Sequence, residues 1–427
     1  MTNRSASGVS SCLQGSFGLC LGSGVTREFV GDWNALLSKM LLRRFASGWA
    51  AKGHSYADVR VPEEKSARLP IGFFADEGPL EVGEFLLADD SLMTPEQYKA
   101  DQAAWQERFF SRQVSDVVHE SIADKLCESC ESTTCSKLAK CSLHADGKHT
   151  LGDVYEAFCH MTGFAAKDDD DVRDCDYLKK ALTTMTVVEL CARKNVRFVV
   201  NYNFDTVVEE MLYGAITKAL VDTDIERIHI WTSGQIDVSN QLLDSRRCKI
   251  VLHRGGWVDG APDLLEGAKG SIHFFHVHGI GSGADIPDLG DRLVFSQHSY
   301  RAYQDAPFNW SNQILQYVLA RHRLIGIGFS GTDANFRHFA WNYMRSMPAP
   351  SDREGSSVEQ RIVFLKSNNT FRERAEEMAD DSDLRSFLRD CSADMVERYY
   401  GAYYGVHTVW VNSYQELARE LHEAANA

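Results

Sequence analysis

Residues 17–24 read Phe-Gly-Leu-Cys-Leu-Gly-Ser-Gly, an apolar run of five that ends in a glycine turn. A run this short, apolar at each position but one glycine, fits a strand covered on both faces. The glycines mark where the chain turns. Beyond them a helical pattern runs from Trp33 through Leu36 and Leu37 to Leu42. Strand, glycine turn and helix in succession predict the opening unit of a doubly wound sheet.

The same grammar repeats downstream. Short apolar runs stand at 196–200 (VRFVV), 228–231, 249–253, 272–278, 292–295, 324–329, 362–365 and 407–411. Helical patterns fall between many of them, at 178–193 and 309–321 for example, and 414–425 closes the chain. The expected fold class is α/β: a doubly wound parallel Rossmann-like sheet with an inserted helical subdomain. Residues 1–84 begin the Rossmann-like domain, 85–180 form the polar, mostly helical insert, and 181–427 complete the domain.

Composition agrees with a folded core and excludes other classes. The chain has 427 residues, 44% of them apolar and 11% aromatic, with only nine prolines, so disorder is not indicated. A net charge of −15 without a Lys/Arg cluster argues against direct nucleic-acid binding. No stretch of about 18 apolar residues is present and the N-terminus lacks the apolar region of a signal peptide, which predicts a cytoplasmic protein without membrane contact. Eleven cysteines, scattered through apolar segments, read as reduced thiols.

Four constellations stand at strand ends, where open α/β sheets bind ligands. Gly22, Ser23 and Gly24 let the main chain approach a pyrophosphate at a helix start, with Thr26 and Arg27 close behind; a plain tight turn is the competing reading. Asn203 and Asp205 follow 196–200 and face the cleft, or else cap the next helix. His276 and His278 end the 272–278 run, and alternation puts both on one side, His278 nearer the rim beside Gly279. An imidazole there suits proton exchange with a sugar; metal ligation by the two lacks a third ligand. Gly328, Ser330 and Asp333 fit adenosine packing and ribose hydrogen bonds, or close strand-to-helix packing.

Taken in order, the glycine turn, the strand-end Asn-x-Asp, the His-x-His-Gly strand, the segment ending at Tyr300 and the G-x-G-F-S-x-x-D strand resemble the sirtuin-like domain of bacterial proteins. The resemblance covers roughly 17–45 and 185–420. It implies an NAD glycohydrolase of anti-phage defence, latent until a partner such as a HerA-type ATPase, or homo-oligomer assembly, releases it. It also implies roles: Asn203 and Asp205 hold the nicotinamide riboside and a water, and His278 is the catalytic histidine. Gly22, Ser23, Gly24 and Thr26 form the phosphate loop, with Arg27 beside it, and Gly328, Ser330 and Asp333 serve the adenosine. An NAD- or ADP-ribose-sensing module without turnover is the alternative. Deacylation is disfavoured, because no cysteine lies between His278 and Ser330 to build the paired Cys-x-x-Cys zinc module.

Two other features compete for a function. Cys127, Cys130, Cys135, Cys141 and His144 have enough soft ligands for zinc, but not the spacing of a ribbon or finger, so reduced thiols are the expected state and zinc the alternative. The acidic run 168–171 lacks the glycine and terminal glutamate of a calcium loop and reads as a solvated turn.

Overall fold

The computed structural model describes residues 6–31, 36, 39–40, 114–122, 150–165, 176–194, 196–232, 240–254, 270–286, 293–294, 310–346 and 361–426. The cysteine cluster, the acidic run, Trp33 and the segment ending at Tyr300 lie outside the described residues.

One nine-stranded sheet organises them. Its strands are β1 (Phe17–Leu21), β2 (Val196–Asn201), β3 (Arg227–Thr232), β4 (Asn240–Asp244), β5 (Lys249–Arg254), β6 (Ser271–His276), β7 (Arg323–Ile327), β8 (Ile362–Ser367) and β9 (Val406–Val411). The spatial order is β4-β5-β3-β6-β2-β1-β7-β8-β9. Each pairing is parallel except β4 with β5, an antiparallel edge on the otherwise parallel doubly wound sheet. The continuous apolar runs are central strands: every residue of β1 and β6 is buried. Burial of Leu293 and Val294 has another cause, since neither is in a strand. The Val294 N–H instead donates to the His278 carbonyl at 2.9 Å.

Helices cover both faces. On one side lie α1 (Ala6–Cys12), α2 (Ser23–Val30), α3 (Leu151–Ala165), α4 (Asp176–Arg193), α5 (Val207–Thr217) and, after β9, α10 (Tyr414–Asn426). They pack with Leu19, Leu21, Phe274, Ile325 and Ile327 into one core. On the other side α6 (Trp310–Arg321), α7 (Ala334–Ser346) and α9 (Ser382–Tyr404) pack against Phe198, Phe275, Leu324 and Phe364. Between β8 and α9 runs α8 (Asn369–Met378). Each fully buried Phe or Leu contributes about 1.5–3 kcal/mol, which is why strands with such runs cannot sit at a solvated edge.

Within 85–180, the helical segment 114–122 and α3 bury Val114, Val117, Ile122, Tyr155 and Phe158 in the same core as the sheet. Gly152 of α3 and Gly214 of α5 meet main chain to main chain, leaving no room for a Cβ at either. Lys218 then bonds both Asp153 and Glu156 across that junction.

The chain leaves β1 for β2 on one side and returns to β7 on the other. That reversal opens a crevice at the carboxyl ends of β1, β2 and β7.

Candidate active site

At the crevice, α2 begins at Ser23 with Gly22 as its N-cap, directly on the glycine turn. The Gly22 N–H donates to the Ile327 carbonyl at 3.2 Å and the Gly24 N–H to the Gly328 carbonyl at 3.0 Å. A Cβ on Gly22 would lie 2.6 Å from the Gly328 oxygen, and one on Gly24 2.9 Å from the Gly328 Cα. Gly328 itself sits at φ +60°. These glycines therefore exist where the loops after β1 and β7 touch, and two of the loop amides are used inside the chain.

The residues after β2 join that loop. Asn203 donates from Nδ2 to the Gly22 carbonyl and to Thr26 Oγ1, both at 3.2 Å. Thr26 Oγ1 in turn donates to Asp205 Oδ2 at 2.9 Å, so the threonine can only accept from Asn203. This order fixes the amide: both hydrogens point into the protein and Oδ1 is left for the cleft that Asn203 lines. Asp205 Oδ1 accepts the Val207 N–H at 3.2 Å and so also serves the start of α5. Ser23, Thr26, Tyr202, Asn203 and Asp205 wall a small cleft with about 40 Å³ of open volume.

A second layer lies below. His276, the last residue of β6, bonds the Asn203 carbonyl through Nδ1 at 3.1 Å and Glu209 Oε1 through Nε2 at 2.8 Å. Asn201 Nδ2 also donates to Glu209 Oε1, at 3.1 Å, and its Oδ1 accepts the Asn203 N–H at 3.0 Å. Glu209 and Asn201 had no role assigned from sequence.

His278 does not share the side of His276. The strand ends at His276, the Gly279 N–H closes a turn onto its carbonyl, and Gly279 takes φ +86°. That turn corrects the alternation expected for the pair, because period-two geometry stops where the strand stops. His278 Nε2 lies 3.3 Å from Asp333 Oδ2, and the Tyr202 ring meets its edge with centroids 5.0 Å apart. Tyr202, which lines the cleft beside Asn203, thus also touches the His278 ring. Asp333, expected at the adenosine, caps α7 by accepting the Phe336 N–H through Oδ1 at 2.8 Å while its other oxygen faces His278. Ser330 is exposed at the end of the β7 loop, its Oγ 2.6 Å from Thr332 Oγ1. Arg27 acts on Tyr414 of α10.

Electrostatics separate the carboxylates. Burial, with the Glu209 charge behind it, raises Asp205 to about 6 against the bonds from Thr26 and Val207. For His276 burial opposes the charged ring, but the Glu209 carboxylate and its two acceptors prevail and the pKa is raised. Among the described residues no group of three or more His, Cys, Asp or Glu could hold a metal ion, and none of the helices is long and apolar enough to cross a membrane.

The family model described as a SIR2-like domain matches residues 197–386, which contain every strand-end residue above except those of β1 and α2. No curated protein matches the chain.

Proposed function

We propose that this protein, whose residues 197–386 match the model of a SIR2-like domain, binds NAD across the crevice and hydrolyses its nicotinamide–ribose bond. One observation carries the reading: Thr26, Asn203 and Asp205, from two distant parts of the chain, form one bonded network at the strand ends. The network leaves the side-chain oxygen of Asn203, Oδ1, for the cleft.

The chemistry needs little acid catalysis. Nicotinamide leaves NAD as a neutral base, and the ribose carbon passes through an oxocarbenium-like state. An oriented acceptor and a base for the attacking water are what the site must provide. Asn203 Oδ1 accepts a hydrogen bond from that water or from a ribose hydroxyl, and Asp205 orients the riboside at its carboxamide end. His278, steadied by Asp333, receives the proton as water adds. The balance is NAD plus water giving nicotinamide, ADP-ribose and one proton. Ser23 and the start of α2 take the pyrophosphate, while Gly328 and Ser330 take the adenosine side.

A latent form, opened by a partner such as a HerA-type ATPase or by self-assembly, suits an enzyme of phage defence that would otherwise drain its host of NAD. Incubation of the purified protein with NAD, alone and with candidate activators, followed by detection of nicotinamide and ADP-ribose, tests the proposal. Binding without product would leave a sensor, and Asn203→Ala retaining full activity would refute the assignment.

A further inference from the structure

Beneath the cleft lies a charge pair that the hydrolytic reading does not use. Glu209 and His276 have fully buried side chains, each at 0% exposure. Burying a charge is costly unless its partners are complete, so the bonds matter atom by atom. The Asn203 carbonyl can only accept, hence His276 Nδ1 carries a proton. Nε2 faces Glu209 Oε1, a carboxylate oxygen that already accepts from Asn201, so both partners of the ring are acceptors and it donates from both nitrogens as an imidazolium. Glu209 Oε2 is buried with no hydrogen-bond partner, so the whole carboxylate hangs on its first oxygen. That oxygen anchors both side chains that hold Asn203: His276 on its C=O and Asn201 on its N–H. A pair serving stability alone would not converge on the two ends of one residue.

We propose that Glu209 and His276 are positioning residues, whose ion pair fixes the main chain of Asn203 and thereby aims its Oδ1 into the cleft. The inference rests on the reading of Asn203 as the group that meets the riboside or its water. It predicts that the pair acts on turnover through orientation and leaves substrate affinity almost untouched.

The test uses the full chain with Glu209→Gln and His276→Asn, singly and together, read by thermal denaturation, amide hydrogen exchange over 201–205, and steady-state nicotinamide release. Glu209→Gln keeps the shape and removes the charge. The expected result is a folded protein in which exchange of the Asn203 amide quickens at least about tenfold. Its kcat falls by roughly 10–100-fold, the range typical of residues that orient a functional group, and KM stays within about threefold. The double variant should lose little more than the worse single one, as members of one unit do. Folded variants with unchanged exchange and unchanged kcat overturn the proposal. Loss of fold in both single variants overturns it too, since the pair is then structural. Absence of nicotinamide release from the unaltered protein in the presence of the candidate activators refutes the hydrolytic reading instead, and the exchange measurement still decides whether the pair holds Asn203.

Discussion

His276 and His278 are separated by one residue and live in different chemistry. His276 lies under the cleft floor, bonded to Glu209 of α5 and to the Asn203 carbonyl. His278 stands at the rim on the opposite helix layer, against Asp333 of α7 and the ring of Tyr202. Their difference comes from the end of β6 between them, where Gly279 at φ +86° turns the chain. One strand end thus serves two layers: a floor with a fixed charge pair, and a rim where an imidazole meets an orienting carboxylate. On the proposed reading the floor builds geometry and the rim exchanges protons.

Substitutions can break that division. The largest effects are expected from Asn203→Ala and His278→Ala, each lowering kcat/KM for NAD cleavage by about 10²–10⁴-fold, the usual worth of an acid–base group. Loss from one variant alone would mean that floor and rim do not act on the same substrate. Next comes Gly328→Ala, whose Cβ would lie 2.5 Å from the Val25 nitrogen at a φ of +60°. A cost of about 2–3 kcal/mol is expected in chemical denaturation, because the contact of the β1 and β7 loops sets the spacing between the two layers.

Two smaller effects sharpen the comparison. Asp333→Asn keeps an oxygen for the Phe336 N–H and removes the charge facing His278. Activity should fall by about tenfold while stability moves by no more than about 0.5 kcal/mol, asparagine being as good a cap as aspartate. For Asp205, raised by burial and by Glu209 to about 6, the carboxylate exists above that pH. Cleavage should therefore fall as pH drops through about 6, and Asp205→Asn should lose that limb of the profile along with most of the rate. The stability sign runs opposite: a raised carboxyl contributes most below its ordinary 3.8 and loses that contribution as pH rises through about 6.

Much of this was legible in the chain. Strands β1, β2, β6 and β7 are nearly uniform apolar runs, and burial on both faces leaves such runs few alternatives. The edge strand β4, Asn-Gln-Leu-Leu-Asp, carries no such signal, since an edge needs only one covered face. Leu293 and Val294 misled for the same reason in reverse, because burial without pairing also selects apolar residues. The positions of Asn203, Asp205 and His278 at strand ends could be read from turn signals. The partners of His276 and Asp333 could not, as each depends on where a strand stops or which helix arrives from afar.

The smallest expected effect concerns Glu210, next to Glu209 but turned toward the segment that leads away from the rim. Its Oε1 accepts the Thr206 hydroxyl at 2.6 Å, and its Oε2 accepts the N–H groups of Ala284 and Asp285 at 3.1 and 2.7 Å. The carboxyl thus staples the segment that follows His278 and Gly279. Burial raises it from 4.5 to about 8 in spite of those donors. The native state then keeps a proton that the unfolded chain releases near 4.5, so stability declines between those two values, by up to about 1.4 kcal/mol per pH unit. Glu210→Gln retains an oxygen for both amides and offers its NH₂ to Thr206, with no proton to lose. Parent and variant should melt alike near pH 5, and the variant should be the more stable by about 1–3 kcal/mol near pH 8. Hydrogen exchange locates the effect: raising the pH should loosen 281–286 beyond the intrinsic rate while 201–205 holds. If both segments loosen together in the parent and neither does in the variant, floor and rim are one cooperative unit and the division between the two histidines is only geometric.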